Sequence, residues 1–242
     1  MTTNERIALV TGAGQGLGRA VCERLHADGF SIVAADINGD SAEETARLVH
    51  GVARTVDVGD RESVSALSES LPDGIDVLVN NAGIWRYHKL VGSRFADIDD
   101  VLRVNLMGTL NCTLAFAYAI SARGGGSIVN FSSAAASMRA QGVGIYPVSK
   151  AAVEALTQQL AVELGPLGIR VNAVGPGVIV TDGSRVNYEG EKGIQRARMV
   201  PMGRVGEPAD IADVVSFLAS HDARYVSGQI IYIDGGITAG RS

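Results

Sequence analysis

I-A-L-V-T-G-A-G-Q-G-L-G, Ile7 to Gly18, joins a compact apolar strand to the start of an apolar-periodic helix that the pattern extends from about Leu17 to Asp28. Glycines at such a junction let the backbone turn tightly and come close to an anion. The helix behind them offers unpaired N–H groups and the positive end of its dipole. A diphosphate is the guest this chemistry suits. The strict G-x-G-x-x-G spacing fails, because Leu17 or Arg19 stands where the last glycine would be. T-G-x-x-x-G-x-G fits instead, with Gly12, Gly16 and Gly18.

Working outward, Ser31 to Ala35 forms a second apolar strand that ends in Asp36, at the distance where a ribose-binding acid belongs, roughly 20 residues beyond the glycines. A carboxylate there accepts hydrogen bonds from ribose hydroxyls and repels a 2′-phosphate. Ile37 and Asn38 follow it and Gln15 precedes Gly16, so no cation is expected at this corner and NAD is favoured over NADP. A helix Ser41 to Val49 leads to a strand near Val52 to Val56, ending in Asp57-Val58. Asp57 is a candidate for the adenine amino group or, equally, a cap for the helix starting near Arg61. A nearly all-apolar strand, Ile75 to Val79, is expected to be central and runs into N-N-A-G, Asn80 to Gly83. Asn81, Ala82 and Gly83 would line the floor of a crevice.

A long helical segment, about Phe95 to Ile120, contains Asn105, an amide that needs a buried partner. Ile128 to Phe131 is a further strand, ending at Ser132 and Ser133; Tyr146 and Lys150 then open a helix that runs to about Leu164. Four residues apart, they share a helical face and set a phenol beside an ammonium, which favours the ionised phenol. Read alone, the pair is also compatible with an ordinary tyrosine and a surface lysine. Arg170 to Val174 is another strand, followed by P-G-V-I-V-T, Pro176 to Thr181. Asp182 to Val200 is polar and lacks apolar periodicity, reading as an irregular segment over a site or an exposed loop. A helix Pro208 to Ala219 and a strand Gln229 to Ile233 end the pattern.

Alternating strands and helices over 242 residues, without repeats or a linker, predict a single α/β domain spanning residues 1–242. The expected architecture is a doubly wound Rossmann fold, about seven parallel strands with helices on both faces. Ligands bind such sheets beyond the carboxyl ends of the strands, where Gly12, Asp36, Asn80 and Ser133 all fall. Net charge is −5 without a long basic run, which argues against a nucleic-acid or anionic-membrane partner and for a small molecule. No apolar stretch is expected to approach the ~20 residues of a membrane span, and no signal-like start is evident; a cytoplasmic location is the expectation. Cys22 and Cys112 suggest no disulfide framework, and His26, His50, His88 and His221 show no ligand spacing, so no metal is expected.

Taken together, T-G-x-x-x-G-x-G, N-N-A-G and Y-x-x-x-K in this order resemble the short-chain dehydrogenase/reductase family over nearly the whole chain. The resemblance selects Ser133, thirteen residues before Tyr146, and matches Asn105, Pro176, Gly177 and Thr181. G-R-x-G-E-P at Gly203 to Pro208 and the D-G-G ending resemble the branch with oxoacyl-carrier-protein reductases and sugar or secondary-alcohol dehydrogenases. The implied catalytic set is Asn105, Ser133, Tyr146 and Lys150. Tyr146 would act as acid or base, Ser133 would bond the substrate oxygen, Lys150 would lower the tyrosine pKa and hold the nicotinamide ribose, and Asn105 would order a water chain. The implied cofactor contacts are Gly12, Gln15, Gly16, Leu17, Gly18, Asp36, Ile37, Asp57, Val58, Asn81, Ala82, Gly83, Tyr146, Lys150, Pro176, Gly177, Val178 and Thr181, with Thr181 on the carboxamide. A substrate loop at about 182–200 and a homotetramer are implied too.

Two departures stand out. Pro147 restricts Tyr146 and starts the helix there. Trp85-Arg86-Tyr87-His88 is bulkier than an oxoacyl-carrier-protein reductase calls for. The leading expectation is an NAD-dependent dehydrogenase of a secondary alcohol, cyclic or sugar-like; the alternatives are an NADPH-dependent oxoacyl reductase and a non-catalytic NAD-binding sensor or scaffold.

Overall fold

The structure, a computed structural model, describes residues 5–138, 140–181 and 190–240, the side chain of Lys192 excepted. Seven strands form one parallel sheet: β1 (Ile7–Thr11), β2 (Ser31–Asp36), β3 (Val52–Thr55), β4 (Val77–Asn80), β5 (Gly126–Phe131), β6 (Ile169–Pro176) and β7 (Ile230–Ile233). Their order is β3-β2-β1-β4-β5-β6-β7, so the chain reverses direction across the sheet between β1 and β4. Thr11 pairs in register with Asn80 and Asn80 with Asn130, which aligns the carboxyl ends on one edge. This is the expected doubly wound sheet.

Side chains alternate between two cores. Ala8 and Val10 of β1, with Val77 and Val79 of β4, face a cluster closed by Val21, Cys22 and Leu25 of α1 (Gly16–Ala27) and by Ile211, Val215 and Leu218 of α9 (Pro208–Ala219). Leu9, Leu78 and Ile128 face the other side, where Cys112, Phe116 and Ile120 of α5 (Gly108–Ala122) meet Leu160 and Leu164 of α7 (Tyr146–Leu164). Strands buried on both faces read as unbroken apolar runs, which is why the central ones were visible in the sequence.

The remaining helices are α2 (Gly39–Leu48), α3 (Arg61–Glu69), α4 (Phe95–Leu102), the single turn α6 (Ala135–Met138) and α8 (Gly190–Arg198). Three differences from the sequence reading have physical causes. The segment from Phe95 is continuous through Ala122 but is interrupted by a π-helical turn, Arg103–Met107, centred on Asn105. By length and composition this 28-residue helix could cross a bilayer, contrary to expectation, yet its inward residues Cys112, Phe116 and Ile120 are fully buried in the core. Second, α8 occupies nearly half of the segment expected to be irregular: its one large apolar residue, Ile194, gives no periodicity to detect. The other part of that expected loop, 182–189, lies outside the described residues. Third, the turn α6 was not foreseen; four residues carry too little pattern.

Candidate active site

The glycine turn between β1 and α1 is built from two kinds of glycine. At Gly12 (φ 64°) a Cβ would stand 2.8 Å from Ala82 Cα, and at Gly18 one would stand 2.0 Å from the Gly12 carbonyl oxygen. No side chain fits at either. Asn81 Nδ2 donates to the Thr11 and Gly12 carbonyls, both at 2.9 Å, and the Ala82 N–H donates to Thr11 Oγ1 at 3.2 Å. Thus N-N-A-G braces the turn directly. Gly16 (φ 56°) is different: its Cβ direction is open until Thr181 Cγ2 at 3.5 Å. Gln15 provides no side-chain cap for α1 and no acid stands in its first turn. An open cradle ending in an uncapped helix N-terminus fits a diphosphate.

Asp36 closes the adjacent corner. Its Oδ2 accepts from the Gly14 N–H at 2.8 Å and its Oδ1 from the Asn38 N–H at 2.9 Å. Ile37 beside it is largely exposed. The expectation of a cation-free corner needs correcting: Arg19 Nη2 donates to the Gly14 carbonyl at 2.7 Å. Its charge is engaged, however, by Glu44 at 2.9 Å, while its Nε donates to Thr45 Oγ1. Asp57 receives Arg103 Nη1 on both carboxylate oxygens, at 3.0 and 2.9 Å, and the Gly59 N–H at 2.9 Å. That ion pair, across 46 residues, was not legible in the sequence. Val58 is buried, and its carbonyl accepts from Asn111 Nδ2 at 3.0 Å.

The second half of the site lies at the end of β5. Here Ser132 and Ser133 part: the Ser132 hydroxyl donates to Glu154 Oε1 at 2.6 Å, while the Ser133 hydroxyl accepts from the Ala135 N–H at 3.2 Å and faces the Tyr146 phenol. Helix α7 starts at Tyr146 as Pro147 required, placing Lys150 one turn further in. Lys150 is 4% exposed; its Nζ donates to the Phe131 carbonyl at 2.7 Å and lies 5.9 Å from the Tyr146 ring centre. Burial lowers the lysine pKa to about 8. Burial also raises Tyr146 above its ordinary value, against a smaller pull downward from the Ser133 hydroxyl, with Tyr87 raising it further. In the protein alone, therefore, the phenol is raised by burial rather than lowered as expected.

Asn105 is fully committed. Its Oδ1 accepts from the Ile84 N–H at 2.8 Å, and its Nδ2 donates to the Ile84 carbonyl at 2.9 Å and to Ser149 Oγ at 3.1 Å. The Ser149 hydroxyl donates in turn to the Tyr146 carbonyl at 2.7 Å. The amide thus clamps the exit of β4 to the first turn of α7. Gly83 lies between: a Cβ there would be 3.3 Å from Asn105 Oδ1 and 3.4 Å from Lys150 Nζ. Ala82 and Gly83 consequently join the glycine cradle to the Tyr146 cluster. On the far side the Ala134 N–H donates to the Pro176 carbonyl, the Gly177 N–H donates to Ile233, and Val178 accepts from Gly206. Thr181 ends this segment opposite Gly16.

Sequence reasoning did not place Glu154, which accepts from both Ser132 and the Tyr232 hydroxyl, the latter at 2.7 Å. Among the described residues no cluster of metal-ligating side chains occurs.

Comparison with known proteins finds relatives over nearly the whole chain. A family model described as enoyl-(acyl carrier protein) reductase matches residues 12–238. The chain is 40% identical to a (3R)-3-hydroxyacyl-CoA dehydrogenase of Rattus norvegicus, covering 96% of this chain and 95% of the relative. It is 38% identical to a 3-oxoacyl-(acyl-carrier-protein) reductase of Thermotoga maritima, covering 98% and 99%. The crystal structure of a gluconate 5-dehydrogenase from Burkholderia cenocepacia J2315, in complex with NADP and tartrate, superposes with a TM-score of 0.92 at 31% identity, covering 98% of this chain and 96% of that one.

Proposed function

Since the chain belongs to the short-chain dehydrogenase/reductase family and is an oxidoreductase of CH–OH groups, we propose that it moves a hydride between NAD(H) and a secondary alcohol or its ketone at Tyr146. One observation carries this reading: the Ser133 hydroxyl and the Tyr146 phenol face each other at the end of β5, with Lys150 buried one helical turn behind and its Nζ 5.9 Å from the Tyr146 ring centre. A nicotinamide dinucleotide bound along the cradle supplies the hydride acceptor or donor.

The chain's own residues do the rest. Tyr146 takes the alcohol proton in oxidation or gives one to the carbonyl in reduction, and Ser133 donates to the same oxygen as charge develops on it. Lys150 would hold the nicotinamide ribose hydroxyls. Asn105 keeps β4 and α7 in register, and a water chain for proton exchange would run past its helix. Gly12, Gln15, Gly16, Leu17 and Gly18 would hold the diphosphate; Asn81, Ala82 and Gly83 would form the floor; Pro176, Gly177, Val178 and Thr181 would border the carboxamide; Ile37, Asp57 and Val58 would flank the adenine. The unit is the whole 1–242 chain acting on a small molecule in the cytoplasm. Exposed Leu114 and Tyr118 on α5 and Val148 and Val162 on α7 support a homotetramer joined through these helices, for which light scattering should give a four-chain mass.

Asp36 supports NAD rather than NADP. Two of a carboxylate's roughly four acceptor positions are used by Gly14 and Asn38, leaving two for the ribose diol. A 2′-phosphate would meet that negative charge, and Arg19 is already held by Glu44. Initial rates with both cofactors test this. Wild type should prefer NAD, and Asp36→Ser should reduce the NAD/NADP ratio of kcat/KM about 10- to 100-fold, the worth of hydrogen bonds to a charged group. A wild-type preference for NADP would refute the assignment.

A further inference from the structure

The segment after N-N-A-G carries two large rings, Trp85 and Tyr87. Trp85 and Tyr87 are each 58% exposed, as are Leu90 and Val91 in large part. Exposed apolar groups scattered singly need no explanation, but four within seven residues form a patch. The rings are also ordered with respect to the proposed chemistry. Tyr87 meets Tyr146 edge to face, centroids 6.5 Å apart at 88°, and Trp85 stacks on Tyr87 at 6.5 Å and 30°. The three rings make a continuous aromatic wall running outward from the phenol.

The wall is braced at both ends. Ile84 is pinned through both its backbone N–H and carbonyl by Asn105. Behind it, the Cβ direction of Gly144 (φ 62°) meets the Arg86 carbonyl at 3.0 Å and the His88 carbonyl at 3.3 Å. The loop leading into Tyr146 therefore lies directly against the backbone that carries the rings. A rigid aromatic surface of this kind favours planar, π-bearing partners over saturated ones of the same size.

Resting on the reading of Tyr146 as the reacting centre, we infer that Trp85 and Tyr87 form a substrate subsite for an aryl group attached to the carbinol carbon. The substrate class is then an aryl-substituted secondary alcohol or the corresponding aryl ketone. Tyr87 is the discriminating residue, since it touches both the phenol and the outer ring.

Trp85 is the only tryptophan in the chain, so its emission reports the wall directly. The test titrates the NAD-saturated enzyme with 1-phenylethanol and with 1-cyclohexylethanol, following Trp85 emission and, in parallel, cofactor reduction. The aryl alcohol should bind about three- to tenfold more tightly, the worth of an aromatic contact beyond its area. Tyr87→Ala should bring the two ligands within about twofold, and Tyr87→Phe, which keeps the ring, should restore the difference. Equal affinity of the two alcohols in wild type, unchanged preference in Tyr87→Ala, or no response of Trp85 to either would overturn the inference. Tyr146→Phe separates this from the reaction itself: it should abolish turnover and leave the Trp85 preference intact. If it turned over normally while the preference persisted, the catalytic assignment would fail and the aryl subsite would stand.

Discussion

Tyr146→Phe is expected to reduce kcat about 1,000-fold while NAD binds within about twofold of wild type, as measured by steady-state rates and calorimetry. The magnitude is that of general acid–base catalysis by one positioned group. The substitution removes only the hydroxyl that faces Ser133 and keeps the ring that packs against Tyr87. A structural tyrosine would instead show changed stability and near-normal turnover. The wild-type pH dependence has a definite sign. Burial raises the phenol above its ordinary value, so it holds its proton at neutral pH in the cofactor-free protein. Alcohol oxidation, which needs the deprotonated form, should accelerate as pH rises toward that pKa, and carbonyl reduction should not.

On the role proposed for Lys150, Lys150→Met would lose two charge-assisted hydrogen bonds to the ribose together and should lower kcat/KM about 100-fold or more. It should also change the pH dependence of stability. Burial depresses the folded-state pKa from 10.5 to about 8, so the unfolded chain binds the extra proton between those values. The cost of burying the charge is present in full below about pH 8 and is relieved as pH rises to about 10.5, worth about 3 kcal/mol. Denaturant unfolding should show wild type gaining that amount on the variant across the window. Parallel pH profiles for the two proteins would mean that Lys150 is not buried as a charge.

Much of this site was legible in the sequence because its parts are local. Strand runs buried on both faces, glycines at a turn and a proline at a helix start each act within a few residues. Pro147 placed the first residue of α7 at Tyr146, and that alone set Lys150 one turn away. What was missed depends on contacts between distant residues. The Arg103–Asp57 pair joins the π-helical turn to the loop after β3 and the Arg19–Glu44 pair joins α1 to α2, so no local pattern announces them. The π turn at Asn105 inserts into a helix whose composition is unbroken, from Val104 to Ala122, by any charged residue. Asn105 was recognised as needing a buried partner, but the partners, Ile84 and Ser149, come from two other segments. The direction of the Tyr146 shift was misjudged for a related reason: the spacing of Tyr146 and Lys150 shows the neighbouring charge but not the depth of burial, and depth decides the sign.

The central claim is that a hydride passes directly between a carbinol carbon and the nicotinamide at the Tyr146 centre. Its most direct test is mass analysis of the reduced cofactor formed from NAD and a secondary alcohol deuterated at the carbinol carbon. The account predicts one deuterium in each reduced cofactor formed by wild type, and reduction about 1,000-fold slower by Tyr146→Phe. Reduced cofactor without deuterium, or equal reduction by the two proteins, would contradict it.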